Sequence, residues 1–530
     1  MQIIIPMSGE GMRFKEKGYV TLKPLIQING KPMISYVIDM FPGEKNIIFV
    51  CNKEHLFCSK LKMQRILKDI CPSGRILSIN PHKKGPVYAI SQVFDEIQAN
   101  EPTIVNYCDF CCLWDYKKFK EKILKGGYKG AVPAYRNFHP HSLNKNYYAY
   151  IKNIKNKILK IQEKKPFTKY PINEYASSGT YYFSNADLIK NYFTEIIKKN
   201  IHFDNEFYVS EVFNLMIEDK LDVILYKLNY FMQWGTPEDL EEFSYWSKIF
   251  KNLIKENKGK NHLIKGINII PMAGSGTRFY NAGYKNPKPM IDVSGEMMVL
   301  KASRMLPNSN EISFIHRIKQ KKINECKKKI KENFKFANFF SIKKKTQGQA
   351  ITCLKLIEKL NDNDLITIGA CDNGVIFDMK KYKRLLNDDS IDIIVWGKKN
   401  HPNAIKKPND FGWIISRNEK IDSILVKRMN KDPKNIPIVI GTFTFKKSLY
   451  FKRSVNQMIK RKGTINNEYY IDEAINDSIS LGYQCAYFEV DSYIGWGTPN
   501  DLKTFNYWQK CFDAWSSHPY QKTKDKYLCE

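Results

Sequence analysis

IIIPMSGEGMRF (residues 3–14) and NIIPMAGSGTRF (residues 268–279) are two versions of one phrase: an apolar run, then a glycine-punctuated turn, then Arg-Phe. An apolar strand that runs into such a turn is where an open α/β sheet presents backbone N–H groups to a phosphate, beyond the carboxyl ends of its strands. The phrase is embedded in a longer repeat. GYVTLKPLIQINGKPM (18–33) matches GYKNPKPMIDVSGEMM (283–298), NYCDF (106–110) matches GACDN (369–373), and FHPHS (138–142) matches NHPNA (400–404). DNEFYVSE (204–211) then pairs with NNEYYIDE (466–473), and QWGTPEDLEEFSYW (233–246) with GWGTPNDLKTFNYW (495–508). The offset drifts only from 265 (Gly9 to Gly274) to 262 (Gly235 to Gly497), a register that chance similarity would not hold across a whole domain.

Two domains follow, 1–250 and 267–517, with the lysine- and asparagine-rich stretch 251–266 as linker and 518–530 as a polar tail. In the first copy Gln2–Pro6, Asn46–Val50, Thr103–Asn106 and Ala131–Pro133 read as strands, and Ile34–Met40 has helical spacing. Alternation of strand and helix predicts an α/β fold whose sheet is mostly parallel and flanked by helices.

Composition narrows the function without choosing it. The net charge of +31 would attract any anion, but the lysines are spread along the chain and form no basic arm, zinc finger or RNA-binding aromatic motif, so no nucleic-acid partner is expected. No signal peptide and no apolar run of roughly 20 residues appears, which predicts a cytoplasmic protein with no stable membrane insertion. Cys108, Cys111 and Cys112 lack a second cysteine or histidine pair at zinc-site spacing and are expected to be reduced core cysteines. Homo-oligomerisation is compatible with the sequence.

Chemistry concentrates in the repeated segments. Gly9 and Gly11, with Gly274 and Gly276, let the backbone approach a polyphosphate without an intervening Cβ, flanked by Met7 and Ser8 in copy one and Met272 and Ala273 in copy two. Arg13 or Arg278 and then Lys23 or Lys288 follow at fixed spacing, supplying a guanidinium fork and an ammonium for phosphate oxygens. Asp109 and Asp372 end β-rich runs, where a carboxylate can hold a metal against phosphate oxygens. Asp115 and Asp378 recur six positions later, and Asp115 is expected to cap the helix that follows it.

GxGxRF followed by KP(L/M) resembles the signature loop of the sugar-nucleotide pyrophosphorylases, over the whole of both copies. The resemblance implies two tandem Rossmann-like, GT-A-like nucleotidyltransferase domains that use Mg2+ to transfer a nucleotidyl group from an NTP to a phosphorylated small molecule, releasing pyrophosphate. Copy one looks closest to the capsule-biosynthesis cytidylyltransferases, which favours CTP or another pyrimidine NTP. By the same resemblance, Lys164 in QEKKP corresponds to the lysine on the acceptor phosphate, and Lys427 in LVKRM falls near the equivalent place without the preceding glutamate. TQGQA (346–350), with Gln347 and Gly348, is similar to the segment beside the nucleotide base; copy one has Lys84 and Gly85 there.

One departure stands out. Where relatives carry a second metal-binding aspartate before the late Gly-Thr pair, this chain has Gln233 and Gly495, so the metal would rest on one carboxylate and the NTP, or draw on Glu206 or Glu468. Trp234 and Trp496 are expected to pack rather than to stack on a base. Two other readings stay open at this level: one catalytic copy beside a regulatory nucleotide-binding copy, and a glycosyltransferase on the related fold, although neither CDFCC nor CDNGV supplies its DxD-type metal motif.

Overall fold

The computed structural model describes residues 1–58, 60–143, 148–255, 262–429, 433 and 435–528. The chain divides into two units, Met1–Ser244 and Tyr245–Glu530. The expected linker 251–266 lies in part outside the described residues, and its first residues continue the helix Pro237–Leu253.

Unit 1 is built on a ten-stranded mixed sheet. Its N-terminal half is parallel: Gln2–Met7 lies between Asn46–Asn52 and Thr103–Asn106, with Arg75–Ile79 beyond Asn46–Asn52. Ile3, Ile4 and Ile5 are wholly buried because helices cover both faces, as parallel strands require. Pro6 has no N–H to give, and it falls past Ile4, the last residue of this strand in register with Thr103–Asn106. The other half departs from the expected parallel order. Thr180–Phe183 pairs antiparallel with both Thr103–Asn106 and Gly130–Tyr135, and the hairpin Ala149–Ile154/Lys157–Glu163 extends the edge. A short connection can return a chain only antiparallel, and NIKNK (153–157) is too short for a crossover helix.

Unit 2 repeats the plan with nine strands, in which Ile264–Pro271 lies between Ser309–Arg317 and Ile366–Ile368, and Ile438–Phe445 is antiparallel to Ile366–Ile368 and Ile393–Lys398. In each unit a separate two-stranded ladder carries the late Trp-Gly-Thr segment to the strand-end aspartate: Phe110–Leu113 with Tyr230–Gln233, and Asn373–Ile376 with Ser492–Gly495. The segment expected to be a polar tail buries Tyr520 and Tyr527 within unit 2, where Tyr520 packs on Phe250 with ring centroids 4.7 Å apart. Among the described residues no helix is long and apolar enough to cross a membrane.

Candidate active site

The glycine loop turns where Gly11 and Gly276 both take φ 64°, the left-handed region that favours glycine, and each then opens a short helix bearing Arg13 or Arg278. A Cβ on Gly9 or Gly274 would meet no protein atom within 4 Å, so the loop's exposed backbone faces space. Lys23 and Lys288 open single 3-10 turns whose second residue, Pro24 or Pro289, fixes φ and sets the lysine.

Those elements converge on one cavity per unit. In unit 1 it measures about 730 Å3 and is lined by Met7, Ser8, Gly9, Gly11, Arg13, Lys23, Gly85, Asp109 and Lys164. In unit 2 it measures about 390 Å3 and is lined by Met272, Ala273, Gly274, Gly276, Arg278, Lys288, Gly348 and Asp372. Lys84, Gln347 and Lys427 lie outside these linings. Lys84 instead sets its ammonium 4.7 Å from the Tyr88 ring centroid, leaving Lys83, His82 and Pro86 to line that side.

Within each cavity the lysine of the KP turn grips the strand-end carboxylate. Lys23 Nζ lies 2.6 Å from Asp109 Oδ2, and Lys288 pairs with Asp372 in the same way. Burial works against the Lys288 ammonium, but the Asp372 carboxylate more than offsets it and raises its pKa. The late loop closes over both carboxylates: the Trp234 N–H donates to the Asp109 carbonyl at 2.9 Å, and the Trp496 N–H to the Asp372 carbonyl at 2.8 Å. A Cβ on Gly235 or Gly497 would come within 3.2 Å or 3.1 Å of the carboxylate, so glycine there leaves it accessible. Trp234 and Trp496 are fully buried against Phe243 and Phe505, the packing role expected of them.

A second constellation recurs and was not legible as a unit. Lys164 and Lys427 each follow the last residue of a strand (Lys157–Glu163, Lys420–Val426), each has a left-handed φ (53° and 51°), and each donates its N–H across the hairpin, to the Tyr148 or Phe411 carbonyl. Lys164 Nζ donates to Tyr208 Oη at 3.1 Å, and Tyr208 donates in turn to Glu206; Lys427, Tyr470 and Glu468 repeat the relay. Burial, reinforced by the glutamate, pushes the Tyr470 phenol up to about 12, so it stays protonated as a donor. The signal was present, since Tyr208 and Tyr470 are identical partners in DNEFYVSE and NNEYYIDE. Glu206 and Glu468 thus hold tyrosines and also line the cavities.

The base-side glycines are fixed by close approach. Gly85 has φ 82°, and a Cβ there would sit 2.8 Å from the Phe207 nitrogen; Gly348 has φ 114° and abuts Tyr469. Backbone bridges Phe207 N–H to Lys84 carbonyl and Tyr469 N–H to Gln347 carbonyl, both 2.9 Å, tie this segment to the Glu-Tyr relay. His82, also missed, accepts or donates at Ser8 Oγ, 3.2 Å away; burial and then Lys84 lower its pKa.

Asp115 and Asp378 cap their helices, accepting from Lys118 N–H at 3.0 Å and Lys380 N–H at 2.8 Å. Cys111 and Cys112 sit buried in a strand and Cys108 beside it, and burial pushes the Cys108 thiol up to about 12. No group of three or more His, Cys, Asp or Glu placed to hold a metal occurs among the described residues. A divalent cation held by one carboxylate and completed by nucleotide phosphates and water fits the exposed edge of Asp109 or Asp372.

The Nucleotidyl transferase family model matches residues 2–247 and again 267–509. Among solved structures, a nucleoside-diphosphate-sugar pyrophosphorylase from Vibrio cholerae aligns at 14% identity over 46% of this chain and 99% of its own, with a TM-score of 0.38. An inositol-1-phosphate CTP transferase from T. maritima aligns at 14% identity over 46% of this chain and 96% of its own, with a TM-score of 0.37. No curated protein sequence matches. With the same glycine loop, arginine, lysine and carboxylate gathered in each matched segment, the chain belongs to the nucleotidyl transferase family, as two tandem copies.

Proposed function

We propose that each unit transfers a nucleotidyl group from an NTP, with CTP or another pyrimidine NTP favoured, to a phosphorylated small molecule in surface-glycan or capsule biosynthesis in the cytoplasm. The observation that carries this is the doubled cavity wall of glycine loop, arginine and lysine–aspartate pair, with the lysine–tyrosine–glutamate relay recurring beside it. An acceptor phosphate oxygen bonds to the α-phosphorus, the bond from that phosphorus to the bridging oxygen breaks, and its electron pair leaves with pyrophosphate. A phosphate monoester is largely ionised at neutral pH, so alignment and charge stabilisation suffice without a protein base.

In this reading the loop N–H groups, Arg13 and Lys23 hold the leaving phosphates, and Lys164, steadied by Tyr208, holds the acceptor phosphate; Arg278, Lys288 and Lys427 do the same in unit 2. Asp109 and Asp372 would hold Mg2+, which would supply charge neutralisation on the phosphate oxygens. Lys23 and Lys288, each paired with its aspartate here, also lie where they could meet phosphate oxygens. Pyrophosphate release from each of the four NTPs, measured against a panel of phosphorylated metabolites, tests the assignment. EDTA is expected to stop both units, and Asp109→Asn to stop unit 1 alone; undiminished turnover in the chelated protein overturns the metal role.

A further inference from the structure

The buried carboxylate beside the relay lysine has moved from strand to helix between the units. In unit 1 it is Glu163, in register with Ala149 across the hairpin and accepting a 2.6 Å hydrogen bond from Ser210 on the helix Val209–Glu218. In unit 2 the matching strand residue is Val426, in register with Gly412, and the carboxylate comes from Asp472 on the helix Ile471–Ser480, the position matching Ser210. The third change makes room. A Cβ on Gly412, where unit 1 has Ala149, would overlap the Asp472 carboxylate. Burying a carboxylate is costly, and supplying one through three complementary differences is not what a solvated charge would show. Glu163 lines its cavity and Lys164 spends its ammonium on Tyr208 and Asp204, so this carboxylate is not the lysine's ion-pair partner. Ser177, Ser178 and Tyr181, which line the cavity of unit 1, are matched in unit 2 by the buried apolar residues Val439, Ile440 and Phe443.

We propose that unit 2 reads its acceptor through Asp472 beside Lys427, and that this acceptor is a compact phosphate monoester with one hydrogen-bond donor near the phosphate, in contrast to a polyhydroxylated sugar phosphate for unit 1. The inference rests on the nucleotidyltransferase reading of both units. A carboxylate only accepts hydrogen bonds, so its partner is a hydroxyl or an ammonium. The loss of the polar groups of Ser177, Ser178 and Tyr181 at the matching positions leaves further hydroxyls without partners, which disfavours sugars.

The test uses the full chain with unit 1 silenced by Asp109→Asn, and follows pyrophosphate release with glycerol 3-phosphate, phosphoethanolamine and glucose 1-phosphate. One of the two compact probes is expected to exceed glucose 1-phosphate about tenfold or more in kcat/KM, and which one wins distinguishes hydroxyl from ammonium. Asp472→Asn should raise the acceptor KM about tenfold while the NTP KM stays within about twofold; Asp472→Ser, the residue found in unit 1, serves if that variant does not fold. The combination Gly412→Ala, Val426→Glu and Asp472→Ser should restore acceptor binding from the strand. Preference for glucose 1-phosphate, an unchanged acceptor KM in both single variants, or nucleotide binding without turnover of any probe overturns the proposal, the last in favour of a regulatory copy. Absence of pyrophosphate release by the unmodified chain with every NTP would instead strike the nucleotidyltransferase reading itself.

Discussion

Arg13 and Arg278 are exposed side chains on one-turn helices that line the two cavities. Removing a charge-stabilising donor from a transition state costs roughly 2.7–4 kcal/mol. Arg13→Ala is therefore expected to slow unit 1 by about a hundredfold or more, and Arg278→Ala to do so in unit 2, each leaving thermal unfolding unchanged. A folded variant with the full rate in its own unit contradicts the role. Glu163 gives a pH prediction. Burial raises its pKa from the ordinary 4.5 to about 7, against the opposing Ser210 hydrogen bond and Lys164 charge. The fold thus prefers the neutral acid, a contribution fully present below about pH 4.5 and lost as pH rises through about 7. Between about pH 5 and about pH 8, Glu163→Gln should lose less stability than the unmodified chain in denaturant titrations; parallel curves would show that Glu163 does not titrate there.

At the scale of the element, the glycines at 85 and 348 hold a loop-to-loop bridge that no side chain could occupy. Left-handed backbone costs a non-glycine residue about 1–2 kcal/mol, and here a Cβ also meets the backbone of Phe207 or Tyr469. Gly85→Ala is expected to raise the NTP KM of unit 1 at least several-fold, read in initial-rate kinetics, while unit 2 is unaffected. The same element shows how far the sequence could be read. The glycine loop, the KP lysine and the strand-end aspartate were legible because each is a short local phrase repeated in fixed order. The relay of Lys164, Tyr208 and Glu206 was not, since strand Lys157–Glu163 and the loop before Val209 meet only in three dimensions. Antiparallel strands were also missed: Thr180–Phe183 is as apolar as a parallel strand because both of its faces are buried, and periodicity does not record direction. Lys84 stands at the position matching Gln347, yet its ammonium lies on Tyr88, because sequence position does not record where a long side chain turns.

Across the whole molecule, the lysine- and asparagine-rich composition of 251–266 marks a boundary, whereas packing assigns the end of the preceding helix to unit 2. Phe250 stacks on Phe505 with Trp246 tilted against the same ring, Phe250 packs on Phe512 and Tyr520, and Ser247 Oγ lies 3.0 Å from His518 Nε2. Deleting buried aromatics costs about 3–5 kcal/mol each. A fragment covering 267–530 is expected to unfold at a markedly lower temperature than one covering 237–530. Equal midpoints would show that these rings contribute nothing to unit 2.

That division of the helix Pro237–Leu253 also sets a schedule for synthesis. Phe250 leaves the ribosome about 255 residues ahead of Phe505, which at roughly 5–20 residues per second leaves its ring, with Trp246 and Leu253, unpartnered for roughly ten to fifty seconds after unit 1 is complete. The nascent chain passes through that interval carrying an apolar stripe on an already folded domain, the kind of surface that chaperones bind. Ribosome-stalled chains ending shortly beyond residue 253 should recruit a chaperone more strongly than the same chains bearing Trp246→Ser and Phe250→Ser, and equal recruitment would place the hand-over elsewhere.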